Sequence, residues 1–140
     1  MTETDLKSRD IKKETLEHYR HRMRDIRKLW ELYQKDHEAD DPDLGTWNEY
    51  GLGFDYVPPY TFHQPRGYFR YQISWGGPSE EFRFWVDETM RPYRIEFWFL
   101  DWFVGQTVPV KGKNRSLWLE IWEDFLEMEL PQAKMTKAGK

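Results

Sequence analysis

The sequence predicts a two-layer α+β domain, an antiparallel sheet of three to five strands with a long N-terminal helix and a C-terminal helix on one face. Three observations predict it. Residues 67–99 alternate apolar and polar side chains through two turn signals, residues 4–36 carry an apolar stripe of helical period, and a second such stripe occupies residues 117–130.

The first helix is entered at Thr4-Asp5, where short polar side chains accept orphan backbone N–H groups. Leu16, Tyr19, Met23, Ile26, Trp30 and Tyr33 follow at spacings of three and four, which puts all six on one stripe. Such a seam covers a sheet or zips against a second copy, giving a homodimer through the N-terminal helix. Fewer than three heptads carry the pattern, which favours packing within the chain. The first ten residues are too polar to pack and are expected to fray.

Asp36 to Leu44 breaks the pattern with clustered carboxylates around Pro42. It lacks the alternation with Gly that a calcium loop demands, so a solvated loop is expected and no metal site. Trp47, Tyr50, Leu52, Phe54 and Tyr56 form a period-2 set interrupted by Gly51 and Gly53, the pattern of an edge or bulged strand. Val57-Pro58-Pro59-Tyr60 stops any ladder, and Thr61 to Arg66 connects to the next strand.

A hairpin through Gly76-Gly77-Pro78-Ser79 sets Trp75 opposite Glu80, Ile73 opposite Phe82, Tyr71 opposite Phe84 and Phe69 opposite Val86. A loop over Asp87 to Pro92 sets Val86 opposite Tyr93, Phe84 opposite Ile95 and Phe82 opposite Phe97. Both turns agree on one buried face, made of Phe69, Tyr71, Ile73, Phe82, Phe84, Val86, Tyr93, Ile95, Phe97 and Phe99. The other face holds Arg70, Gln72, Ser74, Glu81, Arg83, Trp85, Arg94, Glu96 and Trp98. In this register Arg83 sits beside Gln72 and Glu96, and Trp85 beside Arg70 and Arg94, which predicts cross-strand ion-pair and cation-π support.

Beyond Phe99, Thr107 to Val110 reads as a short edge segment limited by Pro109, and Lys111 to Asn114 as a turn. Asn114 or Ser116 is the expected cap of the last helix, whose stripe runs through Leu117, Trp118, Ile121, Trp122, Phe125, Leu126 and Leu130. Pro131 is read as its end. The expected organisation is one domain over residues 1–131 and a disordered tail over 132–140.

Composition narrows the function classes. With 140 residues and 18% aromatics, one core built mainly from Phe, Tyr and Trp is expected. The chain has no Cys, which excludes disulfides, zinc fingers and a cysteine nucleophile. That fits a reducing compartment. No apolar run approaches membrane-spanning length, so a cytoplasmic protein with no membrane contact is expected. The net charge of -4 conceals a segregation, with seven Lys and Arg over residues 12–28 and five Asp and Glu over 120–129. The expected reading is that the two helices lie near each other and their exposed flanks partly neutralise; the alternative is a basic stripe for nucleic acid or an acidic partner, against which the pI of about 5.6 counts.

The strings Tyr50-Gly-Leu-Gly-Phe-Asp-Tyr-Val57, Gly67 to Phe84 and Tyr93 to Phe103 resemble a group of small uncharacterised proteins carried on plasmids, prophages and other mobile elements. The resemblance covers residues 50–105 and brings no activity with it. It implies an accessory gene product.

Catalytic signals are sparse. Asp55, His63, Arg66 and Asp101 are weak loop candidates for a small enzyme's cleft at one end of the sheet. His18 and His21 have a spacing that can share a metal, but Arg20, Arg22 and Arg24 oppose a cation there. No catalytic residue and no cofactor is assigned. The expected function is non-enzymatic binding of an unidentified protein partner through Arg70, Arg83, Trp85, Arg94, Glu96 and Trp98, residue types enriched at interface hot spots. The alternative is single-stranded nucleic acid, with bases on Trp85 and Trp98 and phosphates on the arginines.

Overall fold

The computed structural model describes residues 2–101 and 104–139, and of residues 3–9 and 104 the backbone alone. In chain order the elements are α1 (Glu3–Lys35), β1 (Asp40–Asp41), β2 (Gly45–Thr46), α2 (Trp47–Tyr50), β3 (Gly53–Val57), β4 (Tyr68–Ser74), β5 (Ser79–Val86), β6 (Pro92–Asp101), β7 (Val104–Pro109), α3 (Gly112–Glu127) and α4 (Leu130–Ala138). Strands β3 to β7 form an antiparallel five-stranded meander, each beside its sequence neighbour. This is the predicted α+β class with its sheet at the upper end of the predicted size. Trp102 and Phe103, part of the string that carries the resemblance, lie outside the described residues.

The α1 seam lies on the sheet within the chain. Tyr19, Met23, Ile26 and Trp30 are at most 6% exposed, and Tyr19 packs its ring on Phe82 and Phe97. The stripe thus has its partner within the chain. From the other helix, Trp118 meets Tyr71, Phe82 and Phe84, while Trp122 meets Phe54, Phe69, Phe84 and Phe125. Each such fully buried ring contributes roughly 2–3 kcal/mol by apolar burial.

The register differs from expectation in one hairpin and agrees in the other. Phe84 pairs with Ile95 and Phe82 with Phe97, as predicted. Near the turn a bulge pairs Val86 with Pro92 instead, so Tyr93 is turned out and is 45% exposed. Between β4 and β5, Phe69 pairs with Phe84 and Tyr71 with Phe82, two residues from the predicted register. The turn begins at Trp75, with Gly76 and Gly77 in left-handed backbone at φ 74° and 52°, and a bulge lies between Gln72 and Ser74. An even slip keeps Phe69, Tyr71, Phe82 and Phe84 on their predicted face, whereas past the bulge Ser74, expected on the outer face, bonds Glu80 on the helix side.

Other corrections have local causes. Thr46, the last residue of β2, caps the helical turn that follows: its Oγ1 accepts from the Glu49 N–H at 3.3 Å and donates to Glu49 Oε1 at 2.7 Å. Asp41, placed by the sequence in a solvated loop, is 4% exposed. It accepts from Lys28 at 2.7 Å and from the N–H groups of Asp43 and Leu44 at 3.0 Å. The Lys28 ammonium, first, and these backbone donors hold its carboxyl below the usual range. Neither Asn114 nor Ser116 caps α3, which starts at Gly112 after Lys111; the Asn114 amide instead donates to the Tyr19 hydroxyl at 2.9 Å. Pro131 opens a helix instead of ending one, because α3 closes at the left-handed Glu129, φ 56°, and a proline has no N–H to lose in a first turn. The tail expected to be disordered is thus helical through Ala138, with Met135 packed against the core.

Candidate functional site

The sheet face away from the helices carries the predicted binding residues, and they bind one another. Arg70 donates through two nitrogens to Asp55 at 3.0 and 2.7 Å. Arg83 Nε donates to Glu81 at 2.7 Å. Arg94 donates twice to Glu96, at 3.0 and 2.9 Å, and Trp98 Nε1 donates to the other oxygen of Glu96 at 3.1 Å. Cations and rings also interleave in one continuous stack. Trp98 faces the Arg83 guanidinium at 3.7 Å, Arg83 lies 4.7 Å from the Tyr68 ring, Tyr68 is 5.4 Å from Trp85, and Trp85 lies 4.3 Å from Arg94.

The shifted register reorganises the predicted neighbours. Arg83 stands opposite Arg70 and Glu96, while Gln72 stands opposite Glu81. Trp85 has Arg94 beside it but not Arg70. The cross-strand Arg83–Glu96 ion pair gives way to pairs between residues two apart on one strand, Arg83–Glu81 and Arg94–Glu96. Tyr68, Glu81, Arg83 and Trp85 are each at most 8% exposed, although the rings, cations and carboxylates that contact them belong to strands. Three arginines are matched by three carboxylates. A base or a phosphate would have to displace partners already in place.

A second polar cluster lies beneath α1 on the helix side. Glu80, 2% exposed, accepts from Arg22 at 3.1 and 2.6 Å and from Ser74 at 3.1 Å, and meets His18 Nδ1 at 3.0 Å. Burial pushes its carboxyl up, but Arg22, His18 and Ser74 together outweigh that and leave it lowered. Arg22 also donates to the Tyr50 hydroxyl at 3.2 Å, which donates to Asp25 at 2.8 Å. Burial, the leading cause, holds the Tyr50 phenol well above its ordinary value. His18 and His21 serve different carboxylates, Glu80 and Asp25. Among the described residues no group of three His, Asp or Glu side chains is placed to hold a metal ion. The sequence reading missed this cluster because its members are 58 and 62 positions apart.

The third region is the β3–β4 loop. Tyr60, Phe62 and His63 all adopt left-handed backbone, at φ 66°, 52° and 61°. The loop is tied by Tyr60 N–H to Gln64 C=O at 2.6 Å and Gln64 N–H to Thr61 C=O at 3.0 Å. It leaves Tyr60 84% and Phe62 68% exposed. Next to it a groove of about 870 Å³ is lined by Tyr56, Pro59, Pro65, Arg66, Tyr93 and Met135 among others, with Arg66 donating to the Tyr93 hydroxyl at 2.9 Å.

The weak catalytic candidates do not converge. Asp55 is held by Arg70 on the outer face, His63 is exposed, and Arg66 is tied to Tyr93 near the start of β6, whereas Asp101 is the last residue of that strand. The aromatic loop is the feature that the sequence reading passed over. Its signal was two large aromatics, Tyr60 and Phe62, between Pro58-Pro59 and Pro65.

No helix among the described residues is long and apolar enough to cross a membrane. Comparison with protein-family models, with curated proteins and with solved structures finds no match to this chain.

Proposed function

We propose that this chain is a non-enzymatic protein-binding module that grips its partner with the aromatic end of the sheet, Tyr60, Phe62 and Tyr93 beside the groove at Arg66. One observation carries the reading. Three non-glycine residues within four positions hold left-handed backbone, and the result is two large aromatics in solvent. Left-handed conformations cost a non-glycine residue roughly 1 kcal/mol each, and an exposed ring returns nothing to the fold. Backbone strain that stabilises no core is the mark of a contact surface. The outer sheet face supports the site as a stiff platform. An accessory role on a mobile element, implied by the resemblance over residues 50–105, belongs to the same reading.

The test begins with a photo-crosslinking residue at position 62 in a host lysate, followed by titration of the captured partner with purified chain. Tyr60→Gly with Phe62→Gly should weaken binding at least tenfold, since exposed aromatics dominate such contacts. The same change should raise the melting temperature by about 2–5 °C, because glycine adopts φ > 0 without strain. Unchanged affinity in the double variant would exclude this end of the sheet as the contact surface.

A further inference from the structure

The charge segregation is not resolved inside the molecule. On α1, Arg20, Arg24 and Arg27 recur at i, i+4 and i+7, which places them in one row about 10 Å long. Arg20 and Arg24 are exposed and meet no carboxylate among the described residues, and Arg27 reaches only the Lys113 carbonyl at 3.4 Å and Asn114 Oδ1 at 3.3 Å. The row borders a shallow groove of about 650 Å³. On α3, Glu120, Glu123 and Glu127 recur at i, i+3 and i+7, all exposed and opposite the buried stripe of Leu117, Trp118, Ile121, Trp122 and Phe125. Glu123 meets Arg91; Glu120 and Glu127 meet no cation among the described residues. No ion pair joins the two rows among the described residues: α1 touches α3 at its first turn, through Arg27 and Asn114, and the acidic row begins six residues further on.

The two rows fit each other in the opposite direction. Read forward, the arginines are spaced four then three; read backward, Glu127, Glu123 and Glu120 are spaced four then three. Two helices laid antiparallel therefore bring each arginine against one glutamate at the same rise. We propose that a second copy of this chain covers these rows, in a two-fold dimer where Arg20, Arg24 and Arg27 of one protomer lie along the partner's Glu127, Glu123 and Glu120. Because each protomer carries both rows, one two-fold operation forms the contact twice. A phosphate chain fits less well, since the basic row is closed at its ends by Glu17 and Glu31 and the molecule carries a net charge of -4.

Sedimentation equilibrium of the full chain tests this. A dimer is expected at low salt, its dissociation constant weakening at least tenfold between about 50 and 500 mM NaCl, as exposed ion pairs do. Arg20→Glu with Arg24→Glu should be monomeric, as should Glu123→Arg with Glu127→Arg. Mixing the two variants should restore a heterodimer, because both contacts then become complementary. A wild-type chain that stays monomeric at about 0.5 mM protein and about 50 mM salt would overturn the proposal, as would a dimer unchanged by either charge reversal. A monomer that binds a labelled oligonucleotide through Arg20 and Arg24 would assign the row to nucleic acid instead.

Discussion

Glu80 and Glu81 are consecutive, each is 2% exposed, and they point to opposite faces of one sheet. Glu80 is kept charged by His18 and Arg22, which α1 brings from 62 and 58 positions away. Glu81 accepts from Arg83, two residues along its own strand, under a roof of Tyr68 and Trp98 rings laid across that arginine. Equal burial thus arises by two routes. One face is dried by a second layer of helices; the other by long flat side chains that alternate cation and ring until little room is left for water. The first route gains mostly from apolar area, whereas the second gains little net energy and tolerates no missing member.

That contrast can be broken at its strong end first. Trp122→Ala removes ring contacts to Phe54, Phe69, Phe84 and Phe125 and orphans the Met90 carbonyl, which accepts from Trp122 Nε1 at 2.8 Å. It should cost about 3–5 kcal/mol in urea unfolding. On the outer face Arg83→Ala leaves the Glu81 charge buried and opens the stack, and a loss of about 3 kcal/mol is expected. Replacing both, Arg83→Met with Glu81→Leu, should recover to within about 1 kcal/mol of the parent. A double variant as unstable as Arg83→Ala would mean that the face depends on its ion pair rather than on its packing.

The smallest effect concerns Glu80 and carries a pH signature. Its carboxyl is lowered in the folded chain, so its contribution is complete above the unfolded value and is lost as pH falls through the folded one. Glu80→Gln should therefore be less stable than the parent by about 2 kcal/mol near neutrality. The gap should narrow as the pH falls below the ordinary glutamate range. Melting curves from about pH 3 to pH 7 give the comparison, and a constant gap would show that Glu80 acts by shape alone.

Parity made the sheet legible. A strand's side chains alternate with period two, so the two-residue error between β4 and β5 exchanged neighbours without exchanging faces, and Phe69, Tyr71, Phe82 and Phe84 stayed inside. What failed were features decided by a single backbone conformation, such as the bulge that expels Tyr93 and the left-handed Glu129 that lets Pro131 begin a helix. The candidate site was half legible for the same reason. Arg83 and Trp85 were placed on the right face with Arg94 beside Trp85, as predicted, but alternation does not say that Arg83 takes Glu81 on its own strand in place of Glu96 across the sheet.

By itself the sequence determined the α+β class, the order of the three central strands and the two apolar helix stripes, because periodicity is a local property of the chain. Tertiary structure alone decided which polar groups are free. His18 and Arg22 are drawn to Glu80, the outer arginines are matched by carboxylates, and Tyr60, Phe62, Arg20 and Arg24 are left facing solvent. A side chain's availability depends on what distant segments place against it, and spacing along the chain does not carry that information.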